Sequence, residues 1–221
     1  SALDNCVKFF NWGNREHELL VNRFPNDKNK FTVTGNPRFD IASSLYRNVF
    51  DYEKDQWVTK YENYALMIGF FNIDKVHMEQ LQSYEMLNTP EDISNFEESI
   101  NRIQDVSHLY MNLIEDLCLR YSDINFVFKS HPTTFKRKRH ELDAIESRFK
   151  NIKNFFLLKN HDAVEPLILG SKFVVHCNST TGYQSYFLGK PNINYIPIEN
   201  ESYGVGTMKH TSCLTGYVCK S

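Results

Sequence analysis

The second half of the chain alternates short apolar runs with segments in which apolar residues recur three or four positions apart. Such runs are typical of buried strands, and the wider spacing is typical of one face of a helix. Strands and helices that alternate over short connections predict βαβ units, and therefore a parallel, doubly wound α/β sheet. The predicted strands are 124–128, 154–158, 173–176 and 192–195, and the predicted helices between them are 140–149, 164–169 and 182–187.

The first half adds a strand and a long helix to this pattern. Residues 64–71, Tyr-Ala-Leu-Met-Ile-Gly-Phe-Phe, form a continuous apolar run, which suits a strand covered on both faces. Residues 90–120 carry apolar side chains at helical spacing and predict one long helix packed on the core. The polar segment 77–90 has little periodic order, and the tail 199–221 is typical of a loop.

The segment 35–40, Gly-Asn-Pro-Arg-Phe-Asp, predicts a junction. Its glycine can take a positive φ, its proline disfavours helix in the residue before it, and Asp40 can cap a helix over 41–50. We therefore expect residues 1–40 to end in an interdomain junction and residues 41–221 to form the main domain. Before the junction, the pattern predicts a helix at 14–23 between strands at 6–10 and 31–34.

The charge balance limits the kinds of partner. With 25 basic and 27 acidic residues, the whole chain has no field that would gather nucleic acid, so any anion site must be local. The longest apolar stretches are far shorter than the roughly 20 residues of a membrane-spanning helix. Five cysteines without a CxxC pair, and a start without signal-peptide features, predict a reducing, cytoplasmic location.

Unusual polar residues follow the predicted strands. Lys129, His131 and Pro132 come after the strand 124–128, and Glu165 lies a few residues past the strand 154–158. A hydroxyl-rich stretch follows the strand 173–176, and its members are Asn178, Ser179, Thr180, Thr181 and Gly182. Because the carboxyl ends of parallel strands meet at one edge of a sheet, we expect these three groups to be neighbours around one crevice.

Each group has a functional and a structural interpretation. The stretch 178–182 at a helix start offers backbone N–H groups and hydroxyls to a phosphate, but the same residue types are ordinary helix caps. His131 can donate to a phosphate oxygen, with Pro132 fixing the turn, or be a structural histidine. Glu165 can accept from ribose hydroxyls or complement a helix dipole. The cationic run 136–139 can reach a diphosphate or form a solvated helix face.

Several common catalytic motifs are absent from the sequence. Neither GxxxxGK nor GxGxxG occurs, which disfavours a P-loop ATPase and a standard dinucleotide site. Neither HExxH, nor GxSxG, nor a cluster of residues with metal-ligand spacing occurs. We therefore expect no metal and no other cofactor, with hydroxyls and cations taking the role that Mg²⁺ has elsewhere.

Three stretches resemble one family: VTGNPRFD at 33–40, FKSHPTT at 128–134 and VVHCNSTTGYQSYFLGKPNINYIP at 174–197. They are similar to bacterial surface-carbohydrate glycosyltransferases of the GT-B fold, akin to capsule and lipopolysaccharide enzymes that transfer Kdo or related sugars from CMP donors. The resemblance implies the C-terminal half of such an enzyme, a Rossmann-like nucleotide-sugar-binding domain over 41–221, preceded by the remnant of the N-terminal half over 1–40.

The resemblance also implies roles for residues. His131 and Pro132 match the motif that binds the CMP phosphate, and the hydroxyls of residues 179–181 match the Ser/Thr motif that holds the same nucleotide. Glu165 is similar in placement to the carboxylate aimed at ribose. Lys129 and Ser130 stand where related sequences commonly have arginine, so a forked phosphate contact becomes a point charge. The family's acceptor domain and usual catalytic carboxylate would precede Trp12, so no residue of this chain is assigned as the base.

The function implied is transfer of a sugar from a nucleotide-activated donor, CMP-linked such as CMP-Kdo, to a cell-surface glycan or glycolipid. Such an enzyme would work in the cytoplasm, with peripheral association at the inner face of the membrane. Two enzyme alternatives share the fold, a nucleotide-sugar epimerase and a CDP-polyol phosphotransferase, and fold alone does not separate them. A non-catalytic module that binds glycans or anions through residues 136–139 is the alternative of a different class.

Overall fold

The computed structural model of the chain describes residues 3–41, 43, 45–69, 75–83, 87, 89–131, 139–159, 163–177, 179–198 and 217–220. These residues belong to two compact units, 1–48 and 49–221. The domain boundary expected at residue 40 stays a prediction. None of the described helices is long and apolar enough to cross a membrane.

The first unit contains a short parallel strand pair. Strand β1 pairs with β2, and helix α1 lies between them in sequence. The prediction of a helix over 41–50 was wrong. A short helix instead spans Pro37–Asp40, because proline is favoured in the first turn of a helix, and residues 47–50 form a 3-10 turn. The elements are β1 (Phe9–Asn11), α1 (Asn14–Arg23), a 3-10 helix (Pro25–Lys30), β2 (Phe31–Val33), α2 (Pro37–Asp40) and a 3-10 turn (Arg47–Phe50).

The second unit is built on a parallel sheet with the order β5-β4-β3-β6-β7-β8. The strands are β3 (Tyr64–Ile68), β4 (Asn125–Lys129), β5 (Phe155–Leu158), β6 (Val174–His176), β7 (Asn192–Ile196) and β8 (Tyr217–Lys220). The chain starts in the middle at β3, runs to one edge, and returns to the other side of β3 at β6. This is the Rossmann strand order, whose direction reverses between β3 and β6. The predicted parallel, doubly wound sheet is confirmed.

Helices connect and cover the strands of this sheet. They are α3 (Asp51–Tyr61), α4 (Lys75–Ser83), α5 (Pro90–Arg120), α6 (Arg139–Phe149), α7 (Val164–Gly170) and α8 (Thr181–Phe187). The predicted long helix is α5, which begins with a capping box in which Thr89 and Asp92 bond each other's backbone N–H groups. The sequence pattern missed α3 and α4, and it assigned β8 to a loop.

The core lies on the face of the sheet that α5 and α6 cover. The hydroxyl of Tyr110 on α5 donates to the carbonyl of Val175 at 2.9 Å, which ties this helix to the middle of the sheet. On the opposite face, the hydroxyl of Tyr64 donates to the carbonyl of Leu167 in α7 at 2.7 Å. The buried core cluster is Ala65, Met67, Val106, Tyr110, Met111, Ile114, Cys118, Phe126, Phe128, Phe149, Val175, Cys177 and Tyr195.

The side-chain amide of Asn154 holds the end of α5 against the sheet. It donates to the carbonyls of Cys118, Tyr121 and Ile124 at 3.1, 3.1 and 3.0 Å. Asn154→Ala leaves these carbonyls without their donor, so we expect the free energy of unfolding to fall by about 1–3 kcal/mol in urea titrations. The exposed Asn151 provides the matched control, and Asn151→Ala should leave stability unchanged. Equal losses in the two variants would contradict this role for Asn154.

Candidate nucleotide site

The candidate site is the carboxyl edge of the sheet at β3, where β4 and β6 flank it on either side. Gly69 follows β3, and its N–H donates to the carbonyl of Lys129 at 2.8 Å. A Cβ at this position would lie 2.9 Å from Phe128 Cζ and 3.1 Å from Ser130 Cα. Glycine therefore allows the ends of β3 and β4 to approach closely, which fixes Lys129 and Ser130 at the edge.

A buried polar row crosses the sheet just before this edge. Register pairs Lys129 with Ile68, Ile68 with His176, and His176 with Asn194. Paired residues of a parallel sheet share a face, and alternation from Tyr64 places this row on the face that α7 covers. Lys129, His176 and Asn194 are all buried. Polar side chains therefore lie inside the fold next to the edge that forms the candidate site.

His176 positions the turn that leads from β6 into α8. The backbone N–H of Ser179 donates to His176 Nδ1 at 3.3 Å, and Nε2 lies 3.4 Å from Asn192 Oδ1. An accepting Nδ1 places the ring proton on Nε2, which then donates to Asn192. Burial lowers the pKa of His176 to about 4, and the hydrogen bond to Asn192 opposes that shift only in part. The ring is therefore neutral near pH 7 and acts as a fixed support for the hydroxyl-rich turn.

The hydroxyl-rich turn satisfies most of its own N–H groups. Ser179 Oγ accepts from the N–H of Thr181 at 3.2 Å, and the carbonyl of Ser179 accepts from Gly182 at 3.0 Å. Thr180 occupies the N-cap position of α8 but makes no side-chain capping bond within the described residues. The expected seat of free N–H groups is thus largely bonded within the turn. What the turn presents instead is the exposed Thr180 hydroxyl beside the half-buried Ser179.

Glu165 contacts α8. It is in the first turn of α7, and its Oε1 accepts from Gln184 Nε2 at 2.7 Å. Gln184 is buried and was not identified from the sequence. The structure therefore brings Glu165 to the helix that starts with Thr181, and thus to the β6 side of the crevice.

His131 and Lys129 form the β4 side of the crevice. His131 is half-buried two residues beyond the end of β4, and burial lowers its pKa, with the positive charge of Lys129 adding to the effect. The hydroxyl of Ser130 between them is buried and has no hydrogen-bond partner among the described residues.

The two sides of the crevice are separated by one strand. Because neighbouring strands are about 4.8 Å apart, the ends of β4 and β6 are about 10 Å apart, a span that a nucleotide with its phosphates can bridge. Thr181 and Gly182 are buried inside α8 and support the turn. Pro132, Asn178 and the side chains of the cationic run 136–139 lie outside the described residues. Within the described residues, no group of three or more His, Cys, Asp or Glu side chains could hold a metal ion.

Comparison with solved structures identifies the fold. A UDP-GlcNAc 2-epimerase from Methanocaldococcus jannaschii matches 97% of this chain and 51% of its own, with 14% identity and a TM-score of 0.55. A variant of the wall teichoic acid polymerase TagF soaked with CDPG matches 86% of this chain and 37% of its own, with 15% identity and a TM-score of 0.46. The E. coli heptosyltransferase WaaC with ADP matches 76% of this chain and 40% of its own, with 16% identity and a TM-score of 0.39.

No family model matches the chain, and no curated protein matches its sequence. The chain spans about half the length of the epimerase and less of the other two proteins. At 14% identity, the likeness to the epimerase is a likeness of fold. The predicted fold class, a Rossmann-like α/β domain resembling those of GT-B enzymes and carrying a long helical segment, is confirmed.

Proposed function

We propose that residues 41–221 bind a nucleotide-activated sugar and form the donor-binding part of a glycosyltransferase. The observation that carries the proposal is the position of the polar ends of β4 and β6 on either side of β3. Ligands of doubly wound sheets bind outside the carboxyl ends of the strands where the strand order reverses.

The side chains of the crevice suit a phosphorylated nucleoside. Lys129 supplies a fixed positive charge, and the Thr180 and Ser179 hydroxyls supply hydrogen bonds without a proton change. The lowered pKa of His131 keeps its ring neutral near pH 7, so it donates a neutral hydrogen bond to a phosphate oxygen. Together these groups would stabilise the charge that develops on the departing phosphate as the sugar is transferred.

Glu165 is the proposed partner of the ribose. One of its carboxylate oxygens is held by Gln184, and this contact fixes the orientation of the other oxygen. A carboxylate with a fixed orientation can accept from ribose hydroxyls in a defined geometry. Pro132 and Asn178 are also proposed to bind the nucleotide. Pro132 belongs to the motif that the family resemblance assigns to the CMP phosphate, and Asn178 belongs to the hydroxyl-rich turn.

The donor that we propose is CMP-linked, such as CMP-Kdo, and the acceptor is a bacterial surface glycan or glycolipid at the inner face of the membrane. This choice rests on the resemblance of the stretches 128–134 and 174–197. A nucleotide-sugar epimerase is the second candidate, because the UDP-GlcNAc 2-epimerase matches 97% of this chain in fold. The two candidates differ in the base that the crevice should prefer.

Calorimetric titration with CMP, CDP, UDP and free sugars tests the proposal. We expect CMP or CDP to bind and UDP to bind more weakly, because the proposed donor is CMP-linked. We expect the free sugars not to bind, because the proposed contacts are with the phosphates and the nucleoside. Preferential binding of UDP would instead favour the epimerase. If none of the three nucleotides binds, the nucleotide site itself is wrong.

A further inference from the structure

The outer edge of β5 offers backbone groups for a further strand. The N–H of Phe126 donates to the carbonyl of Asn154 at 2.7 Å, which fixes the phase of the parallel ladder between β4 and β5. Alternate residues of a strand bond the same neighbour, so the N–H of Leu157 and the carbonyls of Phe155 and Leu157 point away from β4. Within the described part of the chain, no strand pairs with this edge.

A groove of about 390 Å³ runs along this edge. Its walls come from the ends of α3 and α6, and its floor is β5 itself. The floor is apolar because Phe155, Phe156 and Leu157 form it, and each of these side chains is only partly buried. The lining residues are Lys60, Tyr61, Glu146, Phe149, Lys150, Ile152, Phe155, Phe156, Leu157 and Lys159. An exposed apolar strand edge of this kind is a template for pairing with another chain.

The charges around the groove select the kind of chain that can pair there. Three lysines and one glutamate line it, and Glu146 is bonded to Lys159 at 2.6 Å. The Nζ of Lys60 lies 5.4 Å from the ring centre of Trp57 and 5.0 Å from that of Tyr61, so the cation is held beside the groove. A second copy of β5 would bring lysines against lysines, which disfavours self-pairing, whereas an acidic chain would find complementary charge.

We propose that the outer edge of β5 binds an extended, acidic segment of a partner protein as an added strand. The backbone of the segment would bond Phe155 and Leu157. Its apolar side chains would cover the aromatic floor, and carboxylates on its two faces would meet Lys60 on the α3 side and Lys150 on the α6 side. This mode of binding combines ladder hydrogen bonds for affinity with side-chain pockets for selection. It does not depend on the nucleotide site.

A short, capped, fluorescein-labelled peptide in which pairs of glutamates alternate with pairs of valines carries both residue types on both faces of a strand, and it tests the proposal by fluorescence anisotropy. We expect it to bind, and the double variant Lys60→Glu, Lys150→Glu to weaken binding by about tenfold or more, which corresponds to about 1.4 kcal/mol. The control variant Lys28→Glu, Lys153→Glu changes the net charge equally at exposed lysines that do not line the groove, and it should bind like the unmodified chain.

The same peptide with an N-methyl group on every backbone amide separates strand addition from simple charge attraction. A methylated amide cannot donate to the ladder, so this peptide should not bind. Equal binding of the two peptides, or equal weakening by the two double variants, would overturn the proposal. Concentration-dependent dimerisation that the Lys60→Glu, Lys150→Glu variant changes would make a second copy the occupant, and would overturn it also.

Discussion

His176→Asn is expected to reduce the acid sensitivity of the fold by about 3 kcal/mol between pH 7 and pH 4. The folded protein keeps the His176 ring neutral because burial lowers its pKa to about 4. The unfolded chain binds this proton near pH 6.5, the ordinary value. Between these two pH values the unfolded state holds more protons, so stability is lost as the pH falls. Asparagine has no proton to gain and removes this loss.

The variant should also be slightly less stable than the unmodified chain at neutral pH. The Oδ1 of asparagine can take the place of Nδ1 and accept from the N–H of Ser179. It cannot reach Asn192, so one buried hydrogen bond is lost, at a cost of about 1–2 kcal/mol. The two stability curves are therefore expected to converge or cross as the pH falls.

Urea unfolding at several pH values between 4 and 8 checks this result. His108 is exposed on α5, so His108→Asn is the matched control and should keep the pH dependence of the unmodified chain. Because His131 is present in all three proteins, its own lowered pKa cancels from the comparison. Parallel curves for His176→Asn and the unmodified chain would mean that His176 is not held neutral inside the fold.

The architecture of the second unit could be predicted from the sequence because its strands are nearly continuous apolar runs. Strands β3 to β7 begin or end within a few residues of their predicted positions, and the capping box at Thr89 gives α5 a clear start. Helices α3 and α4 were missed because they carry few regularly spaced apolar residues. Strand β8 has only four residues, and its pairing with β7 defines it more than its composition does.

The candidate site could be predicted only in outline. The order of strands implied that polar residues after β4 and β6 would meet at one edge, and the structure places these strands on either side of β3. The supports of the site depend on contacts between distant residues. His176 bonds Asn192, which is 16 positions away, and Gln184 bonds Glu165, which is 19 positions away. Sequence spacing contains no signal for such pairs, although a histidine directly after Val174 and Val175 in a buried strand could have drawn attention.

His131→Ala and Thr180→Ala are each expected to weaken nucleotide binding by about 1–3 kcal/mol. Each variant removes one partner of a hydrogen bond to a charged phosphate, one from the β4 side and one from the β6 side. Since the two side chains lie on opposite sides of the crevice, about 10 Å apart, the double variant should bind more weakly than either single variant. Calorimetry with CDP measures all three affinities.

Controls of the same residue types separate binding from general damage to the fold. His108 and Thr59 are exposed on α5 and α3, away from the strand ends. His108→Ala and Thr59→Ala should leave the affinity for CDP unchanged. If His131→Ala and Thr180→Ala bind CDP as tightly as these controls do, the proposed phosphate contacts do not exist.

We propose that the ends of β4 and β6 hold one phosphorylated nucleoside between them. A crystal structure of the chain in complex with CDP tests it most directly. We expect phosphate oxygens about 3 Å from both the His131 ring and the Thr180 hydroxyl, with the nucleotide across the end of β3. CDP bound elsewhere, or His131 and Thr180 directed into separate regions of the surface, would contradict it.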